Sequence, residues 1–228
     1  MKNKYINFVL CGDKNFGDKN FIVPITVAIT SILKNIDKSR VSRFFLLTTD
    51  FSDNEINTIL KLKNKYNFEL INIDIKNNIN IFDKIDITKN KIPYVSLAVY
   101  YRLLMFKVLP EDVDKCFYID SNMIIDTDLS IIHDNLTEDK LASIVVEPLA
   151  MQHKKSILYH CYKIDDFKNF QENSFKYPYL NSSFFLVNIK LANELNIFEK
   201  MLDFLNRYPN PPYADHDTLN AIIRKKIF

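Results

Sequence analysis

Short apolar runs with the length of buried strands alternate along this chain with segments that are typical of helices. The strand-like runs are residues 6–11, 43–49, 68–75, 115–120, 141–147 and 183–189. Helices are predicted at residues 23–35, at 97–109, where Ser96 is the expected cap, and at about 190–206 and 217–225. A further helix is predicted after a capping box formed by Ser52 and Glu55. This alternation predicts an α/β fold in which helices cover a largely parallel sheet.

The charge balance and the cysteines restrict the class of protein. With 30 Lys and Arg against 28 Asp and Glu, the formal net charge is +2, and such a charge gives no indication of a nucleic-acid partner. Three cysteines, Cys11, Cys116 and Cys161, lie far apart in the sequence. Buried, reduced thiols in a cytoplasmic protein are therefore predicted in preference to a disulfide framework.

The loop after the first strand-like run contains both glycines of the chain, Gly12 and Gly17. Their concentration in one loop indicates a tight turn or a close approach of the backbone to a ligand. Asp13 and Asn15 can hydrogen-bond a base edge or a ribose, and Phe16 can pack on a ring. The alternative is a plain turn between strand and helix, with Asp and Asn as turn-forming residues.

Four polar residues, Asp120, Asn122, Asp126 and Asp128, follow the apolar run at 115–119. In an extended segment, residues 120 and 122 would share one face, and two oxygens at that spacing can hold a hard divalent cation. The alternative for this pair is simply the polar end of a buried strand. Asp126 and Asp128 have the same spacing, but they are better interpreted as a turn or a cap before the helix-like segment LSIIHD.

The other histidines and the basic tail have less specific interpretations. His133, His153 and His160 are scattered without the spacing of metal ligands, so we expect His133 to cap or pack and the other two to lie at the surface. The tail IIRKKIF is basic and apolar, and it is either the end of a helix or a peripheral contact with the inner face of the cytoplasmic membrane.

Five short motifs, taken in order, resemble those of the family 8 glycosyltransferases, typified by bacterial lipopolysaccharide galactosyl- and glucosyltransferases. They are Asp13-Lys14-Asn15-Phe16, Tyr100-Tyr101-Arg102-Leu103, Tyr118-Ile119-Asp120-Ser121-Asn122 with the following Asp128-Leu129, Asn181-Ser182-Ser183, and Asp215-His216-Asp217-Thr218-Leu219-Asn220. One such motif is weak evidence. Five in order, at the expected strand ends and helix starts, are fairly specific for the fold.

The resemblance implies a nucleotide-diphospho-sugar transferase fold (GT-A, Rossmann-like) with a mostly parallel mixed sheet flanked by helices. It implies a retaining glycosyltransferase that moves a hexose from a UDP-sugar to a saccharide acceptor in lipopolysaccharide or lipooligosaccharide synthesis. It also implies Mn²⁺ or Mg²⁺ as a cofactor, held by Asp120 and Asn122.

Further residue roles follow from the same resemblance. Asp13, Asn15 and Phe16 are expected to hold the uridine, and Arg102, Asn181 and Asp215 to position the sugar. Ser121 and Ser182 lie inside the matching motifs and are expected to bind the donor as well. Asp215 and His216 are the expected catalytic residues, with His216 facing the reacting centre.

Three positions depart from the family pattern: Asn122 replaces an aspartate, Ser183 a glycine and His216 a glutamine. The family's late histidine ligand has no counterpart, so the resemblance implies one domain, residues 1–228, without the usual C-terminal segment. Two other interpretations therefore stay open: a non-catalytic relative that binds nucleotide sugars, and an unrelated α/β domain that binds a small molecule.

Overall fold

The computed structural model describes residues 4–13, 21–83, 85, 97–147, 178–209, 211 and 213–227. Its strands form one sheet in the order β3-β2-β1-β4-β6-β5. The strands are β1 (Tyr5–Gly12), β2 (Val41–Thr48), β3 (Phe68–Asp74), β4 (Lys115–Ile119), β5 (Ala142–Val146) and β6 (Leu180–Asn188). β1 to β4 pair in parallel, while β6 runs antiparallel to both β4 and β5. The predicted mixed, mostly parallel sheet is confirmed.

Helices cover both faces of this sheet, and the alternation of side chains along β1 shows how. Ile6, Phe8 and Leu10 point into one apolar core, together with residues of β2 and of the first helix. Val9 and Cys11 point into a second core on the opposite face. A central parallel strand is buried on both faces, and this explains why the run at 6–11 is almost uniformly apolar.

The helices are α1 (Ile22–Asn35), α2 (Asp53–Leu60), α3 (Met105–Val108), α4 (Ser130–Asn135), α5 (Ile189–Glu194), α6 (Ile197–Arg207) and α7 (Ala214–Ile227). Short 3₁₀ segments occupy Lys61–Asn64, Ile79–Phe82 and Leu97–Leu104. The predicted capping box before α2 is present, since the Ser52 N–H donates to the Glu55 carboxylate at 2.8 Å. α7 packs on α6, on β6 and on the 3₁₀ segment at Leu97–Leu104.

Two helix predictions are wrong in detail. The single helix expected at 97–109 is a 3₁₀ segment followed by the short α3, and Tyr100 to Leu104 are buried on every side. Packing from all directions outweighs the intrinsic preference for an α-helix there. The helix expected at about 190–206 is interrupted because Asn196 adopts a left-handed backbone with φ of 51°, a conformation that asparagine tolerates better than most residues.

The structure also bears on the predicted thiols and on membrane-spanning helices. Cys11 and Cys116 are buried free thiols, as predicted, while Cys161 lies outside the described residues. Within the part of the chain that the structure describes, no helix combines the length and the hydropathy needed to cross a membrane.

Candidate functional site

The first and fourth strands deliver their polar residues to the same edge of the sheet. β1 and β4 are parallel neighbours with Val9 opposite Tyr118, so the residues that follow them, Asp13 and Asp120, leave the sheet at its carboxyl edge. In open α/β sheets, ligands bind outside this edge. A ligand site is therefore expected at the edge between β1 and β4.

A cavity of about 240 Å³ opens at this edge. Its lining residues come from the ends of β1 and β4, the start of α1 and the 3₁₀ segment: Cys11, Gly12, Asp13, Phe21, Pro24, Ala98, Val99, Arg102, Tyr118, Asp120, Ser121 and Asn122. The structure thus brings together five residues that the sequence singled out: Asp13, Arg102, Asp120, Ser121 and Asn122.

Gly12 is explained by packing. A Cβ atom at this position would lie 2.7 Å from Cζ of Phe51 and 2.9 Å from Cδ1 of Ile25, distances that no real contact shows. Phe51 and Ile25 therefore leave no room for a Cβ at position 12, while the approach of this backbone to a ligand stays a prediction; Gly17 lies outside the described residues.

Residues 120–123 form a turn, so the extended segment expected for Asp120 and Asn122 is wrong. The Met123 N–H donates to the Asp120 carbonyl at 3.1 Å, which closes the turn. Asp, Ser and Asn favour turns because their side chains bond the nearby backbone. Asp120 is partly buried, Ser121 is buried and Asn122 is exposed, yet all three still line the cavity.

Arg102 is the centre of the polar contacts around the cavity. Its Nη2 lies 3.0 Å from Asp120 Oδ1, and its Nε lies 3.2 Å from Asp215 Oδ2. Its Nη1 donates to both the carbonyl and the hydroxyl of Ser182, at 2.7 and 3.0 Å. Nε also donates to the Val99 carbonyl at 3.1 Å. One guanidinium thereby ties together the 3₁₀ segment, the end of β4, the start of β6 and the start of α7.

The charge of Arg102 is firmly held despite its burial. Only 9% of its side chain is exposed. Burial disfavours the charged form, but the Asp215 carboxylate and the other acidic groups nearby outweigh it, and the pKa of Arg102 is raised. A buried guanidinium that is paired on two sides fixes the relative positions of the carboxylates it contacts.

Two buried tyrosines stay neutral: Tyr118, which lines the cavity, and Tyr101, which lies near Asp13. Burial raises the pKa of Tyr118 well above its ordinary value. Burial, followed by the nearby Asp13 carboxylate, raises the pKa of Tyr101 to about 12. Both hydroxyls can therefore donate hydrogen bonds at physiological pH.

Asp215 and Ser182 lie directly behind Arg102. The Ser182 hydroxyl donates to Asp215 Oδ2 at 2.6 Å, and both residues are almost completely buried. This contact links β6 to the first turn of α7. In the described structure Asp215 reaches the cavity through Arg102, since it is not one of the lining residues.

Two further polar residues of α7 hold the helix against the start of β6, and sequence reasoning assigned them no role. Asp217 accepts hydrogen bonds from the Tyr179 hydroxyl at 2.6 Å and from the Tyr213 N–H at 2.8 Å. Asn220 pairs with both the N–H and the carbonyl of Leu180, at 2.8 and 2.9 Å. Both residues belong to the polar segment from Asp215 to Asn220, and this clustering of polar residues was the signal in the sequence that could have identified them.

The remaining predicted residues either do not line the cavity or lie outside the described residues. Asn181 donates to Glu147 at 2.6 Å and accepts from the Ser183 N–H at 2.7 Å. The side chain of His216 is half-buried, and neither it nor Asn181 is among the described residues that line the cavity. Asn15 and Phe16 lie outside the described residues, as do His153 and His160.

His133 and Asp128 make structural contacts away from the cavity. His133 is buried and packs beside Arg40 and Asp134. Burial, more than its charged neighbours, lowers the pKa of this imidazole. Asp128 accepts a hydrogen bond from the N–H of Ser130, the first residue of α4, at 2.9 Å.

The donor atoms at the cavity fit a divalent cation that is shared with a substrate. Among the described residues, no cluster of three His, Cys, Asp or Glu side chains could hold a metal ion alone. Asp120 Oδ2, however, has no hydrogen-bond partner among them, because both contacts of this carboxylate are made by Oδ1. One carboxylate oxygen and the Asn122 amide oxygen suit Mg²⁺ or Mn²⁺ when a diphosphate and water complete the coordination.

Comparison with known proteins identifies relatives across most of the chain. A relative from Haemophilus influenzae is 26% identical over 93% of this chain and 59% of the relative. Lipopolysaccharide glucosyltransferase WaaO of Escherichia coli strain K12 is 25% identical over 96% of this chain and 61% of the relative. The chain thus spans about 60% of the length of these curated relatives.

Solved structures show the fold. A galactosyltransferase LgtC structure in complex with donor and acceptor sugar analogs matches with a TM-score of 0.73 and 18% identity, over 97% of this chain and 72% of that one. An active-site mutant of LgtC matches with a TM-score of 0.74 and 18% identity, over 97% and 71%. The expected GT-A-like fold is confirmed.

The match at the level of the family is nearly complete along the chain. The model of glycosyl transferase family 8 covers residues 9–228, which include each of the five motifs in the sequence. The chain therefore belongs to glycosyl transferase family 8.

Proposed function

We propose that this chain binds a UDP-sugar and transfers its hexose, with retention of configuration, to a saccharide acceptor in lipopolysaccharide or lipooligosaccharide synthesis. The observation that carries the proposal is the convergence of Asp13, Arg102 and Asp120 on one cavity at the carboxyl edge of the sheet. Family membership and the lipopolysaccharide glucosyltransferases among the relatives support the donor and acceptor classes.

The charges around the cavity favour a donor that arrives with a cation. Asp13 and Asp120 line the cavity and Asp215 lies behind it, against the single guanidinium of Arg102. Three carboxylates and one guanidinium give these four residues a formal charge of −2. Because a bare diphosphate would be repelled there, a divalent cation bound with it would neutralise the leaving diphosphate.

The protein residues divide the work of positioning the donor. Asp13, with Asn15 and Phe16, would hold the uridine beside the end of β1. Asp120 and Asn122 would hold the cation. Fixing the donor in one orientation converts much of its binding energy into a lower barrier.

The sugar would lie towards β6 and α7. The guanidinium of Arg102 has five polar contacts: two from Nη1 to Ser182, two from Nε to Val99 and Asp215, and one from Nη2 to Asp120. Nη2 carries two N–H groups, and the second has no acceptor among the described residues. That N–H is available to the sugar or the diphosphate. Asp215, Asn181 and His216 would complete the sugar side, with Ser121 and Ser182 shaping the wall between them.

A second candidate is a relative that binds nucleotide sugars without transferring them. The observation that favours it is the exposed, neutral amide of Asn122 at the place where the family has a second carboxylate. Such a site would hold the cation with one carboxylate, and it would neutralise the leaving diphosphate less well.

Titration calorimetry with UDP, in the presence and absence of Mn²⁺, tests donor binding. We expect Mn²⁺ to tighten UDP binding to the wild type, and Asp120→Asn to remove most of that gain. Asp126→Asn is the matched control, because Asp126 is an exposed aspartate of the same segment that does not line this cavity.

Hydrolysis of UDP-hexose without an acceptor separates the two candidates. Release of UDP that depends on Mn²⁺ supports the transferase, and tight binding without release supports the binding relative. Failure of the wild type to bind UDP at any Mn²⁺ concentration would refute both.

A further inference from the structure

Asp120 is held through one oxygen by a hydrogen bond and an ion pair. The Tyr118 hydroxyl donates to Oδ1 at 2.7 Å, and Nη2 of Arg102 lies 3.0 Å from the same atom. The hydrogen bond and the ion pair therefore both act on Oδ1 of the carboxylate. Oδ2 accepts no hydrogen bond from any residue in the described ranges, and Asp120 lines the cavity.

Tyr118 is itself held in one position. Its side chain lies in the apolar core and stacks on Phe185, with ring centroids 5.3 Å apart and planes inclined by 23°. The guanidinium of Arg102 covers the ring at 4.6 Å from the centroid. The hydroxyl therefore has little freedom to leave Asp120, to which it donates.

We propose that Tyr118 is a positioning residue: together with Arg102 it engages Oδ1 of Asp120, so that Oδ2 is presented to the cavity as the cation-binding oxygen. This inference rests on the proposed function, since it assumes that Asp120 binds a divalent cation. It assigns a role to a buried tyrosine whose hydroxyl would otherwise serve only to satisfy a carboxylate.

The physical consequence concerns the orientation of the ligand. A carboxylate that is held by a hydrogen bond and an ion pair on one oxygen loses little further rotational freedom when a cation binds to its other oxygen. Without the tyrosine hydroxyl, the group can rotate and share both oxygens with Arg102, and the guanidinium then competes with the cation. Residues that orient metal ligands in this way typically contribute about 10-fold or more to metal affinity.

The test compares Tyr118→Phe with Tyr179→Phe. Both substitutions remove a buried tyrosine hydroxyl that donates to a carboxylate, at 2.7 Å in the first case and 2.6 Å in the second. The carboxylate in the control is Asp217, which is not among the described residues that line the cavity. Far-UV circular dichroism on heating shows that each variant is folded before binding is measured.

Mn²⁺ affinity is measured by electron paramagnetic resonance with UDP present, and uridine binding by saturation-transfer NMR. Uridine has no diphosphate, so its binding does not depend on the cation. We expect Tyr118→Phe to weaken Mn²⁺ binding about 10-fold and to leave uridine binding unchanged. Tyr179→Phe should change neither affinity.

Four other outcomes overturn the inference. Unchanged Mn²⁺ affinity in Tyr118→Phe, or an equal loss in Tyr179→Phe, refutes the positioning role while the proposed function stands. Parallel losses of Mn²⁺ and uridine affinity show a merely structural role. If the wild type binds neither UDP nor Mn²⁺, the proposed function fails and the positioning role fails with it.

Discussion

Arg102→Met removes a guanidinium that lies between two carboxylates. The side chain of Arg102 is 9% exposed, and those of Asp120 and Asp215 are 21% and 4% exposed. Methionine has a similar length and no charge, so the substitution removes the ion pairs with little change in volume. Asp215 would then remain buried beside Ser182 without its cation.

The magnitude follows from the distances. At 3.0 and 3.2 Å, each ion pair represents about 5 kcal/mol of Coulomb attraction at an effective dielectric constant of about 20, before desolvation is counted. Removing one partner of a buried pair typically costs about 3–5 kcal/mol, because the other charge stays buried and uncompensated. A domain of this kind has a total unfolding free energy of about 5–15 kcal/mol, so the loss is large.

Urea unfolding followed by far-UV circular dichroism measures this loss, since the chain has no tryptophan for fluorescence. Arg207→Met is the matched control: Arg207 and Asp203 form a pair 2.8 Å apart on one face of α6, with side chains 53% and 65% exposed, and such pairs contribute less than about 1 kcal/mol. Adding Asp215→Asn to Arg102→Met should restore part of the stability, because it removes the uncompensated charge. A loss below about 1 kcal/mol in Arg102→Met, or no restoration in the double variant, would show that the two ion pairs do not stabilise the fold as described.

Three further substitutions or labelling experiments test individual residues. Asn122→Asp should tighten Mn²⁺ binding in the presence of UDP roughly five-fold, a modest gain because residue 122 is exposed to water; unchanged affinity by calorimetry would show that residue 122 is not a ligand. His216→Ala should lower turnover roughly 10-fold, the effect of one lost hydrogen bond, with UDP affinity unchanged, and the opposite result would place His216 at the nucleotide. Cys11 should resist iodoacetamide at pH 8 in the folded protein, because burial raises the pKa of its thiol to about 12 and the thiolate is the reactive form; peptide mapping that shows rapid labelling of Cys11 without urea would contradict this.

The sheet and one side of the cavity could be predicted from local sequence patterns. Apolar runs of strand length ended at Asp13 and Asp120, and the rule that ligands bind at the carboxyl edge placed both residues at one site. These predictions needed only the period of the strands and the identity of the next residue, both of which are local properties of the chain.

The polar contacts behind the cavity could not be predicted in the same way. Arg102 and Ser182 are 80 residues apart in sequence, and Ser182 and Asp215 are 33 apart. Contacts at such separation depend on how β6 and α7 pack, and no local pattern encodes this. The 3₁₀ conformation around Arg102 also results from tertiary packing, which outweighed the α-helical preference of LAVYYRLL.

A crystal structure of the protein soaked with UDP and Mn²⁺ tests the central claim most directly. We predict that the uracil and ribose lie beside Asp13, the diphosphate lies in the cavity between Arg102 and Asp120, and the cation binds Oδ2 of Asp120. UDP bound away from this cavity, or a cavity that stays empty at saturating UDP and Mn²⁺, would contradict the proposal.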